Sequence, residues 1–226
     1  ISKVELIIMG GTFMSFDKEY RDEFVGYAFK ALNDFSKMFF DKEFNFEKFK
    51  RFFELPGEVD DKKRTLEIQK KLLKLKGKCE LSGEQLRNET SNVRCVGLTI
   101  ETRPDFADLK YGNEMLRLGC TRVELGVQSV YDEVLKKIER GHTNKESIEG
   151  IRILKDLGFK INIHYMVGLF VDYKKDLDGM KKLFISEDYK PDMLKIYPCA
   201  VIKGTKLYDL WRDGEYKALS NEEAIK

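Results

Sequence analysis

Arg94-Cys-Val-Gly-Leu-Thr-Ile-Glu-Thr-Arg-Pro-Asp105 and Gly119-Cys-Thr-Arg-Val-Glu-Leu-Gly-Val-Gln-Ser129, two pieces of the stretch 94–143, decide the fold. Each reads as a short buried strand, Val96 to Ile100 and Arg122 to Gly126, running into polar residues at its C-terminal end. A helical segment separates them, so the simplest arrangement is a β-α-β crossover with parallel strands. In parallel α/β sheets and barrels the ligand site lies at the carboxyl ends of the strands, where the backbone leaves the sheet and side chains converge. Glu101, Arg103, Gln128 and Glu124 are therefore expected near the chemistry.

Working outward, Val4 to Met9 is an apolar run of strand length closed by Gly10-Gly11-Thr12, whose glycines let the backbone turn sharply. Glu19 to Leu32 has helical spacing. The next stretch, 33–83, interleaves Phe35, Phe39, Phe40, Phe44, Phe46, Phe49, Phe52 and Phe53 with lysines, and a basic helix follows around Thr65 to Lys76. That pattern predicts a helical insertion between 1–32 and 84–226. It suits a platform that stacks bases against cations, or an amphipathic helix with core aromatics and a solvated face. Beyond residue 84 the alternation is regular: helix Asp105 to Leu118, helix Tyr131 to Glu139, a helix bearing Ile148, Ile151 and Leu154, strand Lys160 to Met166, a helix with Leu177 and Phe184, and strand Met193 to Tyr197. Apolar rather than strictly alternating strands predict a buried parallel sheet. Polar residues at each strand end favour a partial β/α barrel over a doubly wound sheet.

The bulk properties exclude more than they assign. In 226 residues there are 41 lysines and arginines against 39 acidic residues, so the net charge of +2 names no partner. No window holds the roughly eighteen apolar residues of a membrane span, and the expectation is a cytoplasmic protein with no membrane partner. Cys79, Cys95, Cys120 and Cys199 lack metal-type spacing and are expected to be reduced thiols, not disulfides. The chain enters a strand at Ile1 and stops just inside a helix after Leu219, as an excised fragment would.

Five stretches carry a family resemblance: Val4-Glu-Leu-Ile-Ile-Met-Gly-Gly-Thr-Phe-Met14, Gly97 to Asp105, Gly119 to Tyr131, Arg140-Gly-His-Thr143 and Leu194-Lys-Ile-Tyr-Pro198. Together they resemble the radical S-adenosylmethionine (SAM) core of the Elongator catalytic-subunit family, enzymes that modify wobble uridine in tRNA. The resemblance covers most of 1–32 and 84–217. It implies an α/β fold, a partial (β/α)6 radical SAM-type barrel of which this chain holds the second to sixth strands, with 33–83 as a helical insertion. It also implies a tRNA uridine(34) C5 acetyl/carboxymethyl transferase that uses SAM, a 4Fe-4S cluster and acetyl-CoA. tRNA, and partner subunits of an Elongator-like complex, are the implied partners.

By this resemblance Gly10, Gly11 and Thr12 take the SAM amino group. Glu101 and Arg103 offer a carboxylate and a guanidinium to a zwitterionic ligand, unless they form a salt bridge at the helix start instead. Gln128 suits ribose hydroxyls, and Lys3 aligns with a lysine linked to acetyl-CoA. Tyr197 and His164 are candidate substrate contacts, though a strand histidine is by default structural. His142, the other histidine, lies in the Gly-His-Thr turn. The cluster-binding cysteine loop is expected before residue 1 and an acetyltransferase domain after residue 226, so the chain alone is expected to be inactive. Val167 and Phe170 stand where the family usually has proline, which predicts an altered loop. Two alternatives remain: another radical SAM enzyme, coproporphyrinogen-oxidase-like, and a non-catalytic RNA-binding fragment.

Overall fold

The computed structural model describes residues 2–225. Its contacts divide the chain into two units, one of Ile1–Leu6 with Phe16–Leu98 and one of Ile7–Ser15 with Thr99–Lys226. In chain order the elements are β1 (Lys3–Ile8), α1 (Lys18–Phe39), α2 (Phe46–Phe53), α3 (Lys62–Lys76), α4 (Leu81–Glu89), β2 (Arg94–Thr102), α5 (Leu109–Arg117), β3 (Arg122–Gln128), α6 (Asp132–Lys137), α7 (Asn144–Asp156), β4 (Lys160–Val167), α8 (Tyr173–Ile185), β5 (Met193–Pro198), α9 (Lys206–Arg212) and α10 (Asn221–Ile225).

The five strands form one sheet in the order β1-β2-β3-β4-β5, and β2 to β5 pair in parallel. This is the expected partial barrel. Sequential order with a helix between neighbours from β2 onward follows from the right-handed crossover that parallel pairing requires. Local signals set the boundaries. Thr143 caps α7 in a reciprocal capping box with Glu146, and Asp108 and Asp172 cap α5 and α8. The helix expected from Asp105 to Leu118 is instead a 3-10 turn, Pro104–Phe106, followed by α5, because Asp108 takes the cap position.

One expectation needs correction. The inner strands do alternate: Val123, Leu125 and Val127 are fully buried apolar residues on one face of β3, whereas Glu124 lies between them and is also buried. β4 repeats this with Ile161, Ile163 and Tyr165 against Asn162 and His164. Both faces are covered, but only one is apolar. The lateral register places Glu101 beside Glu124, Glu124 beside Asn162, and His164 beside Lys195. The second face is therefore a polar interior, the signature of a strand layer that lines a chamber.

In the first unit α1 packs on α4, and Asn33, Asn88 and Ser36 satisfy buried polar groups there. Asn88 Nδ2 donates to Asn33 Oδ1 at 2.7 Å, and Ser36 Oγ accepts from the Val93 amide at 2.8 Å. The eight phenylalanines of 35–53 interlock, with Phe39 at the centre of neighbours whose ring centroids lie 5.0 to 5.9 Å away. Lys50 lies over the Phe46 ring and Lys71, from α3, over Phe52. The rings form a small aromatic cluster in which Phe39 is buried and Phe44 and Phe46 are exposed.

Candidate functional site

The site assembles in the second unit, at the C-terminal ends of β2 to β5. Gly10 and Gly11 have φ values of +103° and +120°, a region that side chains rarely adopt, and space for a ligand is open beside both. The Gly10 amide donates to Glu101 Oε2 at 3.3 Å, which ties the glycine turn to the end of β2. Thr12 uses its carbonyl locally, accepting from the Ser15 amide and hydroxyl to open the following 3-10 turn.

Glu101 is also joined to the chamber floor. His164 lies between two carboxylates, Nε2 at 2.9 Å from Glu124 Oε2 and Nδ1 at 3.6 Å from Glu101 Oε1. Glu124 accepts as well from Lys195 Nζ at 2.5 Å and from Asn162 Nδ2 at 3.3 Å. Burial alone would raise the Glu124 pKa, but the hydrogen bonds from Lys195 and His164 outweigh it and hold the carboxyl below its ordinary value. Tyr197 packs edge-on against the His164 ring, with centroids 5.4 Å apart, and is itself exposed. Of the two expected substrate contacts, Tyr197 faces the opening and His164 is buried beneath it.

A second cluster forms where β3 ends. Gln128 takes a left-handed backbone, φ +65°, and the ladder to β4 shifts register between Leu125 and Gln128. Such a conformation costs a non-glycine residue roughly 1–3 kcal/mol and is characteristic of binding sites. Its side-chain oxygen is buried with no hydrogen-bond partner. Arg140 reaches the same place: a Cβ added at Gly126 would come within 2.7 Å of the Arg140 guanidinium and 3.2 Å of Gln128 Nε2. Glycine at 126 is what makes room for both.

Arg103 behaves differently from the expectation of a free ligand group. Its Nε donates to Asp105 Oδ1 at 2.9 Å and its Nη2 to Oδ2, the salt bridge that stood as the alternative. Arg140 is the less satisfied guanidinium, with one bond of 3.3 Å to the Gly126 carbonyl and a buried Nε lacking any partner. Burial, and then the charge of Arg103, lower its pKa. His142 stands close by, its Nε2 3.4 Å from the Val127 carbonyl and its Nδ1 buried without a partner. Burial, and then Arg140, push the His142 pKa down and favour the neutral ring. Sequence reasoning includes Arg140 only as part of a motif and gives it no role. The signal is there: an arginine twelve positions beyond Gln128, at the entrance to a glycine turn.

Lys3 is exposed on β1 in the first unit, and its side chain has no hydrogen bond or ion pair among the described residues. At the loop beyond β4, Phe170 has φ +59°, a left-handed backbone that a proline could not adopt. Asp176 holds that loop by accepting from the Gly168 amide at 2.6 Å.

A glycine turn beside a strand-end carboxylate, with an unsatisfied guanidinium and amide two strands away, could face the charged and polar groups of a zwitterionic nucleoside. Comparison with known families shows where the chain belongs. The radical SAM superfamily model matches residues 7–184 and a radical SAM C-terminal domain model matches 191–226; this chain belongs to the radical SAM superfamily. Within that class it is 42% identical over 226 residues to a protein named tRNA uridine(34) acetyltransferase from Methanocaldococcus jannaschii, covering all of this chain and 34% of that protein. It is 36% identical over 221 residues to Elongator complex protein 3 of Saccharomyces cerevisiae, covering 97% of this chain and 32% of that protein. Among solved structures, the archaeal Methanocaldococcus infernus Elp3 with its N-terminus deleted matches with a TM-score of 0.78 and 40% identity, over 99% of this chain and 43% of that one. The chain spans about a third of the length of the curated relatives it matches.

The family implies SAM and a 4Fe-4S cluster, and the residues present answer differently to the two. The orphaned Gln128 oxygen, the orphaned Arg140 nitrogen and the Gly126 cradle fit a nucleoside amino acid. The cysteines do not fit a cluster: among the described residues no group of three His, Cys, Asp or Glu could hold a metal. Burial raises the pKa of all four thiols, that of Cys120 to about 12, whereas a cluster needs thiolates.

Proposed function

We infer that this chain is the radical SAM core of a tRNA uridine(34) C5 acetyl/carboxymethyl transferase. The observation that carries the reading is the convergence of Gly10, Glu101, Gln128 and Arg140 on one end of the sheet, in a chain similar over its whole length to a protein named tRNA uridine(34) acetyltransferase. Glu101 and the exposed glycine turn receive the ammonium of SAM. Arg140, rather than the Asp105-bound Arg103, faces its carboxylate. Gln128 bonds the ribose hydroxyls, which satisfies its buried oxygen.

When bound, SAM would supply the hydrogen-abstracting carbon radical of this class of enzyme. Tyr197, exposed above His164, offers a face on which a uracil ring can stack. Lys195 pairs with Glu124 at the chamber wall. Acetyl-CoA as co-substrate, with Lys3 as a contact, belongs to the same reading. So do tRNA as substrate and other subunits as partners. The basic face of α3 suits phosphate contacts: Lys62, Lys63 and Lys74 have no ion-pair partner among the described residues. No helix among the described residues is long and apolar enough to cross a membrane.

The test is anaerobic reconstitution of the full-length parent protein, followed by a SAM-cleavage assay with and without tRNA. Cleavage that requires Glu101 and Gln128, together with modified uridine in the presence of acetyl-CoA, is the expected outcome. A parent that binds tRNA but neither binds nor cleaves SAM leaves only the RNA-binding alternative.

A further inference from the structure

A glutamate at a strand end has several side-chain torsions to choose from, so the aim of Glu101 needs a cause. One oxygen meets the Gly10 amide at 3.3 Å, and the other faces His164 Nδ1 at 3.6 Å. His164 has little freedom of its own. It is 3% exposed, Tyr197 packs against its ring, and Nε2 lies 2.9 Å from Glu124 Oε2. An ionised carboxylate can only accept, so the ring attracts both Glu124 and Glu101 only with a proton on each nitrogen, Nε2 toward Glu124 and Nδ1 toward Glu101. Glu124 is in turn held by Lys195 and Asn162 on the neighbouring strands.

A histidine needed only for packing would be satisfied by one partner. Here two carboxylates, in register on adjacent strands, are turned toward its two nitrogens. Bringing Glu101 and Glu124 to one ring sets like charges against each other, an arrangement that a core avoids unless something is gained from it. The gain lies at the outer carboxylate, which is partly exposed and touches the glycine turn.

We propose that His164 is a positioning residue: anchored through Glu124, it holds the Glu101 carboxylate turned toward Gly10, so that the ammonium of SAM meets a preformed acceptor. His164 does not touch the ligand. This inference rests on the SAM reading above and deepens it. It adds a chain of contacts, Lys195 to Glu124 to His164 to Glu101 to Gly10, that runs across the chamber from β5 to the glycine turn.

The experiment compares, in the full-length parent protein, equilibrium binding of SAM with that of an analogue whose amino group is replaced by hydrogen. Glu101 contributes to the first and not to the second. The wild type is expected to bind SAM at least about tenfold more tightly, the equivalent of one charge-assisted hydrogen bond. His164→Gln keeps a donor in the position of Nε2 but offers nothing toward Glu101. It is expected to lose most of that preference while binding the analogue as before. His164→Asn keeps an amide in the position of Nδ1 and is expected to retain more of the preference.

A merely structural histidine gives another result: both ligands weaken together, and the preference survives in both variants. That outcome overturns the proposal. If His164→Gln does not fold, His164→Asn and Glu124→Gln are read by the same ratio. If the wild type itself shows no preference for the amino group, the SAM reading of Glu101 fails, a result distinct from failure of the role given to His164.

Discussion

The aromatic stretch 35–53 and the strands β2 to β5 both set charged residues beside large apolar ones, and they fold to opposite ends. In the first, the rings pack on one another around the buried Phe39, with Phe44 and Phe46 left exposed, and Lys50 and Lys71 lie over ring faces. In the second, the charged residues turn inward, and Glu124 is 1% exposed. The difference teaches that charge next to hydrophobic surface signifies function when it is the charge that is buried. An exposed lysine costs the fold nothing, whereas a buried carboxylate must be held by partners whose geometry the fold has to supply.

Substitutions in the two regions break or sharpen that contrast. Phe39→Ala removes a ring buried at the centre of the aromatic cluster and should cost about 3–5 kcal/mol of stability in denaturant melts of the parent protein, with SAM affinity unchanged. A smaller cost would mean that the cluster is not a core. Glu124→Gln should cost on the order of 2 kcal/mol, because Lys195 and His164 lose a charged acceptor. It should also flatten part of the acid side of the stability profile. The folded carboxyl lies below its ordinary value of 4.5, so its contribution is complete above that pH and is lost as pH falls through the lower folded value. Melts of wild type and variant from pH 7 down to about 3 should therefore converge at the acid end.

Gln128→Ala should weaken SAM binding by about 1–3 kcal/mol, the usual range for a lost polar partner, without a matching loss of stability. Unchanged affinity would remove Gln128 from the site. Arg140→Ala should weaken SAM binding more than Arg103→Ala, since only Arg103 is already committed to a carboxylate. The mildest effect belongs to the exposed face of α3. Replacing Lys62, Lys63 and Lys74 with alanine should leave melting unchanged and reduce the salt dependence of tRNA binding by about 0.7 to 0.9 in slope for each phosphate no longer neutralised.

Much of the fold was legible because its signals are local. The glycines at 10, 11, 119 and 158 take the positive φ that the turns require, and Asp108, Thr143 and Asp172 cap the helices that follow them. Glu101, Gln128 and the glycine turn were legible as strand-end residues. Arg140 was not, because its proximity to Gln128 depends on the bare backbone at Gly126, which leaves no periodic mark. The commitment of Arg103 to Asp105 could be named as an alternative but not chosen, since two torsions of one side chain decide it.

By itself the sequence determined the order of strands and helices, the parallel crossovers and the family, all of which follow from period, turn chemistry and motif spacing read along the chain. Only the tertiary structure decided which charges became interior. Glu101, Glu124, His164 and Lys195 are separated by up to 94 positions, yet meet because parallel register carries equivalent positions of successive strands to the same level. Register is a property of neighbouring strands, and no single strand encodes it.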